Sequence, residues 1–220
     1  MKSIRFHNSS QQLTVGKILC LGRNYAEHAK EMMAEIPREP VIFLKPSTAI
    51  IGNGENIVIP SISHEMHHEV ELVVAIGKEG KHISPAQSMQ HIAGYAVGLD
   101  MTLRDIQSAA KKNGLPWAVA KGFDTSAPVS EFIPAASATD PKAFTIRCSV
   151  NGTKKQESST GDMIFPLEQI ISYLSTIFTL EAGDLIYTGT PDGVGPVKAG
   201  DIIEAELAGF AKITHQVVHA

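Results

Sequence analysis

The stretch His67-His68-Glu69-Val70-Glu71-Leu72-Val73-Val74-Ala75-Ile76-Gly77 decides how the rest of the chain is interpreted. Its second half is rich in β-branched residues and ends at a glycine, which predicts a buried strand. Because side chains alternate along a strand, Glu69 and Glu71 should share one face, opposite to Val70. The sequence therefore places two carboxylates side by side on an otherwise apolar strand.

Two neighbouring carboxylates repel each other, and burial forces one of them to hold a proton unless a cation neutralises the pair. Oxygen ligands alone favour Mg²⁺, Ca²⁺ or Mn²⁺ over zinc or copper. The same spacing is also common on an amphipathic edge strand whose polar face is solvated. From this stretch alone, a divalent metal site and a solvated edge strand both stay open.

Composition and charge exclude several classes of protein. The chain has 220 residues, enough for one large domain or two small ones, and its 43% hydrophobic and 19% charged content is that of an ordinary soluble protein. A net charge of −4 gives no basic surface for nucleic acid, and no polybasic run suggests a membrane surface. We therefore expect neither a nucleic-acid nor a membrane partner.

The cysteines and the amino terminus indicate the compartment. Cys20 and Cys148 are the only two cysteines, too few for a disulfide framework, which makes a reducing compartment the default. Residues 1–7 lack the apolar core of a signal peptide, and charged residues or glycine interrupt every apolar run. We expect a cytoplasmic protein.

A short helix is predicted after the strand-like run that ends at Gly22. Asn24 is a suitable N-cap and Glu27, three residues later, completes a capping-box-like pair. On that helix His28 and Glu31 share a face, and a carboxylate beside an imidazole fixes the tautomer that a general base requires. A plain surface pair at helical spacing is the alternative, and the spacing alone does not separate the two.

A third acid follows a second predicted strand. Residues 92–100 form a run of small residues that ends at Asp100, and a helix should begin just afterwards, with Thr102 and Asp105 as an acidic variant of the capping box and Gly114 as its stop. A carboxylate at the end of a strand is well placed to join the two glutamates as a third oxygen ligand.

Two lysines lie in apolar or small-residue surroundings. Lys45 ends the apolar strand that begins at Val41, at a position where a site could use it. Lys121 follows Trp117 among small residues and is either a solvated amine or a cation that holds an anionic substrate.

The C-terminal half contains one strong turn signal. Residues 145–152 alternate like a strand and close with Asn-Gly, which predicts a hairpin. Residues 154–162 are polar and are expected to be mobile, and residues 163–178 should form the longest helix of this half. The glycine-dense loop over residues 187–196 could hold an anion through its backbone amides, although it lacks the lysine and spacing of a P-loop.

The fold class follows from the balance of these elements. Short strands predominate, there are four modest helices, and no regular βαβ alternation occurs. We predict a mixed, β-dominated α+β fold rather than a doubly wound sheet, with one catalytic domain over residues 1–220 and a short strand segment within residues 1–14.

Seven short motifs occur in the order found in a known family: Gly22-Arg23-Asn24-Tyr25, Phe43-Leu44-Lys45-Pro46, His68-Glu69-Val70-Glu71, Gly98-Leu99-Asp100-Met101-Thr102, Leu115-Pro116-Trp117, Lys121-Gly122-Phe123-Asp124 and Thr188-Gly189-Thr190-Pro191. Each is weak alone, but the combination is specific. From about residue 15 to near the C-terminus the chain resembles the fumarylacetoacetate hydrolase family, in its compact acylpyruvase and oxaloacetate-processing branch. The resemblance implies a mixed β-sandwich roll and a homodimer.

The resemblance also implies the roles of site residues. Glu69, Glu71 and Asp100 match the ligands of one Mg²⁺ or Mn²⁺, with Ca²⁺ possible. His28 and Glu31 match a catalytic pair on a helix that orders over the bound substrate. The remaining matches contact the substrate or its carboxylate: Arg23, Arg104, Gln107, Lys121 and Thr190. Lys121 would also add positive charge near an oxyanion.

The implied chemistry is a choice among reactions of a small 2-oxo acid. Our first expectation is Mg²⁺-dependent hydrolysis of the C–C bond of a short acylpyruvate, giving pyruvate and a carboxylic acid. Oxaloacetate decarboxylation and oxaloacetate keto–enol tautomerisation are the alternatives, because all three pass through one enolate. A more remote alternative is a metal-dependent dicarboxylate binder without catalysis.

Overall fold

The computed structural model describes residues 2–138 and 140–220 of the chain. Within them the strands, in chain order, are Ser3–Arg5 (β1), Gln12–Thr14 (β2), Ile18–Gly22 (β3), Val41–Lys45 (β4), Ile50–Ile51 (β5), Ile57–Ile59 (β6), Met66–His68 (β7), Val70–Ile76 (β8), Ile92–Leu99 (β9), Thr102–Leu103 (β10), Ala127–Pro128 (β11), Ile133–Pro134 (β12), Thr145–Val150 (β13), Thr153–Ser159 (β14), Leu185–Tyr187 (β15), Gly195–Val197 (β16), Ile202–Leu207 (β17) and Ala211–His219 (β18). The α-helices are Ala26–Glu31 (α1), Pro85–Ser88 (α2), Arg104–Lys112 (α3), Ala118–Lys121 (α4) and Leu167–Ile177 (α5). The predicted β-dominated α+β class is confirmed.

The acidic stretch lies in the middle of the largest sheet. Six strands follow the order β12-β9-β8-β15-β3-β4, so that β8 has a hydrogen-bonded neighbour on each side. All seven residues of β8 are buried. A strand covered on both faces is apolar throughout, which explains the continuous run after Glu71. The structure excludes the alternative of a solvated edge strand.

Both faces of β8 are covered by apolar side chains. Leu72 and Val74 pack in the main core cluster, together with residues such as Ile146 and Ile203 of the five-stranded sheet β14-β13-β17-β18-β6. Val73 belongs to a second cluster on the opposite face. The fold is therefore a sandwich of two sheets, and β8 is fixed in position by packing from both directions.

The first helix begins one residue later than the capping prediction requires. Its N-cap is Tyr25, and no side chain caps the helix, so the predicted pair of Asn24 and Glu27 is wrong. Asn24 is buried and instead donates its side-chain amide to the carbonyls of Phe165 and Thr188, at 3.1 and 2.8 Å. The Asn24 side chain therefore forms tertiary hydrogen bonds instead of the helix cap that the local pattern predicted.

The capping prediction for α3 is wrong for a similar reason. The N-cap of this helix is Leu103, again without a side-chain cap. Thr102 lies in the two-residue strand β10 and its hydroxyl donates to the carbonyl of Asp100 at 3.1 Å. Asp105 accepts from the backbone N–H of Ile106, immediately after it.

The polar segment over residues 154–162, predicted to be mobile, lies in strand β14 and a following turn of 3₁₀ helix. Strand β14 forms the predicted hairpin with β13 across Asn151 and Gly152. The hairpin contains a bulge, because Ser149 pairs with Lys154 whereas Cys148 pairs with Gln156. One extra residue, Lys155, is thereby inserted into β14.

The remaining predictions on the fold have mixed outcomes. Helix α5 is the longest of the described α-helices, inside the predicted range of 163–178. Strands β1 and β2 form an antiparallel pair within residues 1–14. Among the described residues, no helix is long and apolar enough to cross a membrane. The assignment of residues 1–220 to one catalytic domain stays a prediction.

Candidate active site

Three carboxylates meet where β8 and β9 run side by side. Glu69 precedes β8, Glu71 lies within it, and Asp100 directly follows β9. The antiparallel register places Glu71 opposite Gly98, and the backbone N–H of Asp100 donates to the carbonyl of Glu69 at 2.8 Å. One oxygen from each carboxylate lies within 4.8 Å of the other two, and all three residues are buried.

The ammonium group of Lys121 lies against two of these carboxylates. Its Nζ donates to Glu69 Oε2 at 2.8 Å, to Asp100 Oδ2 at 2.6 Å and to Thr102 Oγ1 at 2.6 Å. Lys121 is 3% exposed, so it is not the solvated amine that the sequence left open. Its charge offsets part of the acidic cluster, as buried charges require.

A second buried lysine faces the remaining oxygen of Asp100. Lys45 Nζ lies 2.7 Å from Asp100 Oδ1, but the ammonium directs its hydrogen bonds to the carbonyls of Met101, Lys121 and Ser126. Asp100 Oδ1 is consequently buried without a hydrogen bond. Three carboxylates whose oxygens lie within 4.8 Å of one another suit a hard cation, so the residues present fit Mg²⁺ or Mn²⁺.

The two glutamates have opposite pKa shifts although they are two residues apart. Burial acts to raise the pKa of Glu69, but the charges of Lys121 and Arg104 hold that pKa well below its usual range. Burial, Asp100 and Glu69 raise the pKa of Glu71 well above its usual range, and the Gly189 N–H offsets this only in part. Lys121 and Arg104 therefore favour the ionised form of Glu69, whereas the neighbouring carboxylates favour the protonated form of Glu71.

A histidine and a glutamate of α1 form a hydrogen-bonded pair at the same site. His28 Nδ1 lies 3.1 Å from Glu31 Oε2, and Glu31 Oε1 accepts from the backbone N–H of Gly193 at 3.0 Å. His28 is only 6% exposed whereas Glu31 is exposed, so the pair extends from the surface to a buried imidazole and is not a plain surface pair. With Nδ1 donating to the carboxylate, Nε2 is free to accept a proton.

These groups line one cavity of about 380 Å³. Glu31, one of the ten predicted site residues, reaches the cavity only through His28. The other nine form the cavity wall: Arg23, His28, Glu69, Glu71, Asp100, Arg104, Gln107, Lys121 and Thr190. Lys111, Phe43 and Trp117 complete part of the wall and were not predicted from the sequence. A larger groove of about 620 Å³ elsewhere contains none of the ten residues.

Two further cationic residues of the cavity, Arg104 and Lys111, are held by specific contacts. Arg104 donates to Glu69 Oε1, and it donates to Gln107 Oε1 at 2.7 Å. Arg23 has a φ of 61°, a left-handed conformation uncommon for a residue other than glycine. Lys111 lies over the Trp117 ring at 5.2 Å. Burial lowers the pKa of Lys111, and the charges of Arg104 and Arg23, which line the same cavity, lower it further.

The glycine-dense loop contributes in a way that the sequence did not specify. Its amides do point at anions, but these are carboxylates of the chain itself: Gly189 donates to Glu71 Oε2 at 2.8 Å and Gly193 donates to Glu31. Gln156, which donates to Thr190 from the hairpin, was also missed. The loop composition was the available signal for the glycines, whereas no local signal marks Gln156.

Comparison with known proteins identifies the family of the chain. The family described as "Fumarylacetoacetate (FAA) hydrolase C-terminal" matches residues 17–218. The chain is 51% identical over 200 residues to a mitochondrial oxaloacetate tautomerase of Mus musculus, covering 91% of this chain and 90% of that protein.

Solved structures show the same fold. A fumarylpyruvate hydrolase from Pseudomonas aeruginosa, solved in complex with Mn²⁺ and pyruvate, has a TM-score of 0.96 and 39% identity, and the match covers 100% of this chain and 96% of that one. A 5-carboxymethyl-2-hydroxymuconate delta-isomerase from Mycobacterium smegmatis has a TM-score of 0.84 and 38% identity, over 94% and 80% of the two chains. These relatives are enzymes, and the predicted β-sandwich roll is confirmed. The chain belongs to the fumarylacetoacetate hydrolase family.

Proposed function

We propose that this protein is a metal-dependent oxaloacetate tautomerase, which interconverts the keto and enol forms of a four-carbon 2-oxo dicarboxylate. The observation that carries the proposal is the charge of the cavity. Besides Lys121 beside the acidic cluster, the cavity wall has a group of three cations, Arg23, Arg104 and Lys111. A dicarboxylate presents two anionic ends, whereas acetylpyruvate, with a methyl group at its far end, presents one.

The acidic cluster would hold the cation that such a reaction needs. Glu69, Glu71 and Asp100 would bind Mg²⁺ or Mn²⁺ through carboxylate oxygens. A bound divalent cation supplies Lewis acidity, which stabilises negative charge on the substrate oxygens. Burial and the neighbouring carboxylates Asp100 and Glu69 raise the pKa of Glu71, and a bound cation would favour its ionised form.

The proton transfer falls to His28. Its Nε2 would accept the proton from C3 of the substrate, and the same proton is then delivered to the C2 oxygen, so no water or second reactant is consumed. Glu31 holds Nδ1 at 3.1 Å and stabilises the imidazolium that forms in between. The helix would thus supply the base, and the strands would supply the carboxylates that hold the cation.

The remaining predicted residues would orient the substrate. Lys121, whose ammonium lies against Glu69 and Asp100, would place positive charge near the enolate oxygen. Gln107 and Thr190 line the same wall and offer an amide and a hydroxyl to a substrate carboxylate. The 51% identity to the mouse tautomerase supports the same substrate.

Hydrolysis of acylpyruvates is the second candidate, and it was the first expectation from the sequence. The TM-score of 0.96 to a fumarylpyruvate hydrolase supports it. The pair of His28 and Glu31 is also compatible with it, because the pair would equally activate a water molecule. Decarboxylation of oxaloacetate requires no base, so a His28–Glu31 pair gives it no support. A dicarboxylate binder without catalysis has no use for that pair either.

The test follows the decay of enol-oxaloacetate by ultraviolet absorbance, with Mg²⁺ or Mn²⁺ and again with chelator, against a protein-free control containing the same metal. We expect metal-dependent acceleration by the wild type and none by His28→Ala. Acetylpyruvate is assayed in parallel, and its cleavage to acetate and pyruvate without enol decay would replace tautomerisation by hydrolysis. If neither substrate changes while oxalate still binds, the protein is a binder.

We further propose a homodimer, which follows the family resemblance and is tested by sedimentation equilibrium. The cytoplasmic location predicted from the sequence stays a prediction, because the mouse relative is a mitochondrial protein by name. Import of a tagged chain into isolated mitochondria separates the two compartments.

A further inference from the structure

We propose that Gln156 is a positioning residue that sets the hydroxyl of Thr190 as a hydrogen-bond donor into the cavity. Gln156 belongs to strand β14, most of whose residues are exposed, yet it is itself only 1% exposed. The identity of the acceptor, a substrate carboxylate, rests on the proposed function. The orientation of the hydroxyl rests on hydrogen bonds within the protein.

The bulge in the hairpin is what brings Gln156 inside. Without the extra residue, the register of Ser149 with Lys154 would continue as Cys148 with Lys155. A shift of one residue exchanges the two faces of a strand, so Lys155 would point inward and Gln156 outward. The inserted Lys155 reverses this and places a neutral amide, rather than an ammonium group, behind the cavity wall.

The orientation of the Gln156 amide is fixed by partners that have only one role. The backbone N–H of Val70 can only donate, and it lies 3.0 Å from Oε1. The carbonyl of Pro191 can only accept, and it lies 2.9 Å from Nε2. The oxygen and nitrogen of the amide therefore cannot be exchanged without losing both bonds.

This orientation determines the direction of the next hydrogen bond. The second hydrogen of Nε2 is donated to Thr190 Oγ1 at 2.8 Å, so Thr190 is the acceptor in that pair. Within the described residues, the Thr190 hydroxyl makes no other hydrogen bond to a side chain or the backbone, although the residue is 3% exposed and lines the cavity. Its own proton is thus directed at an acceptor in the cavity, and a carboxylate is such an acceptor.

Gln156 also ties the loop to the metal-binding strand. Val70 lies between Glu69 and Glu71, so one amide joins the backbone between two carboxylates to the backbone beside Thr190. Together with the hydrogen bond from Gly189 to Glu71, this amide fixes the Thr190 hydroxyl relative to the carboxylates that would hold the cation. A substrate that chelates the cation would then accept a hydrogen bond from the Thr190 hydroxyl, whose position is fixed.

The first measurement is the affinity of the Mg²⁺-loaded protein for oxalate, by calorimetry. We expect Gln156→Met and Thr190→Val each to weaken binding by about tenfold, as for the loss of one hydrogen bond to a charged group. The double variant should bind within twofold of either single variant, because both substitutions remove the same donor. Thr190→Ser keeps the hydroxyl and should bind like the wild type.

The matched control is Thr160→Val. Thr160 is a buried threonine, and its hydroxyl donates to backbone carbonyls of Pro141 and Phe144, outside the cavity. Its replacement should lower the melting temperature without changing oxalate affinity. Additive losses in the double variant, or an unchanged affinity in Gln156→Met, overturn the proposal. If Gln156→Met does not fold, the test uses the difference in oxalate affinity between Thr190→Val and Thr190→Ser, together with the spectra of Thr190→Val described below.

A spectroscopic readout works without substrate turnover. His68 Nδ1 lies 3.0 Å from Gln156 Oε1, an acceptor, so this nitrogen must carry a proton. Nitrogen-15 spectra should show the protonated His68 Nδ1, and Gln156→Met should shift its resonance. The resonance of His215, whose Nδ1 donates to the Glu55 carbonyl at 2.7 Å, should stay unchanged and serves as an internal reference. In Thr190→Val, one of the two Gln156 amide protons should shift.

These spectra also separate the two proposals. If the wild type neither binds oxalate nor tautomerises oxaloacetate, the proposed function fails, and the spectra still decide the orientation of Gln156. A deprotonated His68 Nδ1, or Gln156 amide protons unaffected by Thr190→Val, overturns the positioning role even in an active tautomerase.

Discussion

The two sides of the cavity are built in different ways. On one side, three carboxylates stand on or beside paired strands in the middle of a six-stranded sheet. On the other side, His28 and Glu31 lie on a helix of six residues without a side-chain cap. Just after that helix, Met33 is 96% exposed and has a φ of 51°.

This difference assigns separate tasks to the two sides. Charges that repel one another must be held close by a scaffold that cannot relax, which a doubly covered sheet supplies. A short helix with few buried contacts opens at low free-energy cost, which allows substrate to enter. We therefore expect changes on the sheet side to alter binding of the cation and changes on the helix side to alter turnover.

The largest effect should follow a change on the sheet side. Asp100→Asn removes one anionic ligand and leaves the ammonium of Lys121 with one carboxylate partner. Because even outer-shell changes cost a metal site about 10- to 100-fold, Mn²⁺ affinity should fall by more than about a hundredfold. Calorimetric titration with Mn²⁺ measures it.

Asp105→Asn is the control for that change, because Asp105 lies on α3 outside the cavity and bonds to Ser63 and His64. Its Mn²⁺ affinity should match the wild type. Undiminished binding by Asp100→Asn would remove Asp100 from the metal site.

The next effect tests the helix side. His28→Gln removes the base while preserving polarity and approximate size. Turnover should fall by about 10²- to 10⁴-fold, the usual contribution of a positioned base, and affinities for Mn²⁺ and oxalate should stay within about twofold. His64→Gln, at an exposed histidine beside Asp105, is the control. Loss of Mn²⁺ affinity in His28→Gln would contradict the division between the two sides.

The sequence predicted the charged parts of this site and the strands that carry them. Glu69 and Glu71 could be read from strand alternation, and Asp100 from the end of the next strand. What alternation could not give was burial on both faces of β8, because that depends on which strands lie beside it. The local helix-capping pattern failed at Asn24, since a buried amide found tertiary partners that a sequence window does not contain.

Gln156 shows a different limit. A two-residue Asn-Gly turn predicts the register of the hairpin, and that register places Lys155 inside. The bulge that corrects it arises where β14 meets the glycine-dense loop, a contact between segments about 35 residues apart. Turn chemistry therefore predicted the hairpin, while the identity of its inward residue depended on a tertiary contact.

A smaller effect should come from the contact that holds Glu31. Gly193 has a φ of 89°, and a Cβ added there would lie 2.1 Å from the carbonyl oxygen of Lys155. Gly193→Ala should therefore displace the N–H that binds Glu31, and we expect turnover to fall by about tenfold with unchanged Mn²⁺ affinity. Steady-state kinetics at saturating substrate measures the change.

Gly200→Ala is the matched control, because Gly200 has a φ of 95° and open space around an added Cβ. It carries the same backbone strain without the clash or the proximity to Glu31. Equal losses of turnover in the two variants would show that general strain, rather than the bond to Glu31, is responsible.

The smallest effect is a pH dependence of the metal-free protein that is confined to the sheet side. The pKa of Glu71 is raised by burial and by the charges of Asp100 and Glu69, so the folded state binds a proton that the unfolded state has already released above about pH 5. Since the folded state then binds more protons, the free energy of unfolding falls as pH rises towards the raised pKa. The lowered pKa of Glu69 has the opposite sign and acts only below the usual range of glutamate, so it does not cancel this effect.

Glu71→Gln replaces the protonated carboxyl by a neutral isostere and removes that proton linkage. In chelator, the melting temperature of the wild type relative to this variant should decline by about 2–4 °C between about pH 5 and pH 8, the shift expected for roughly 1 kcal/mol in a chain of this size. Thermal melts across that pH range measure the difference. Parallel curves would show that Glu71 is ionised in the metal-free protein, in which case cation binding should release no proton.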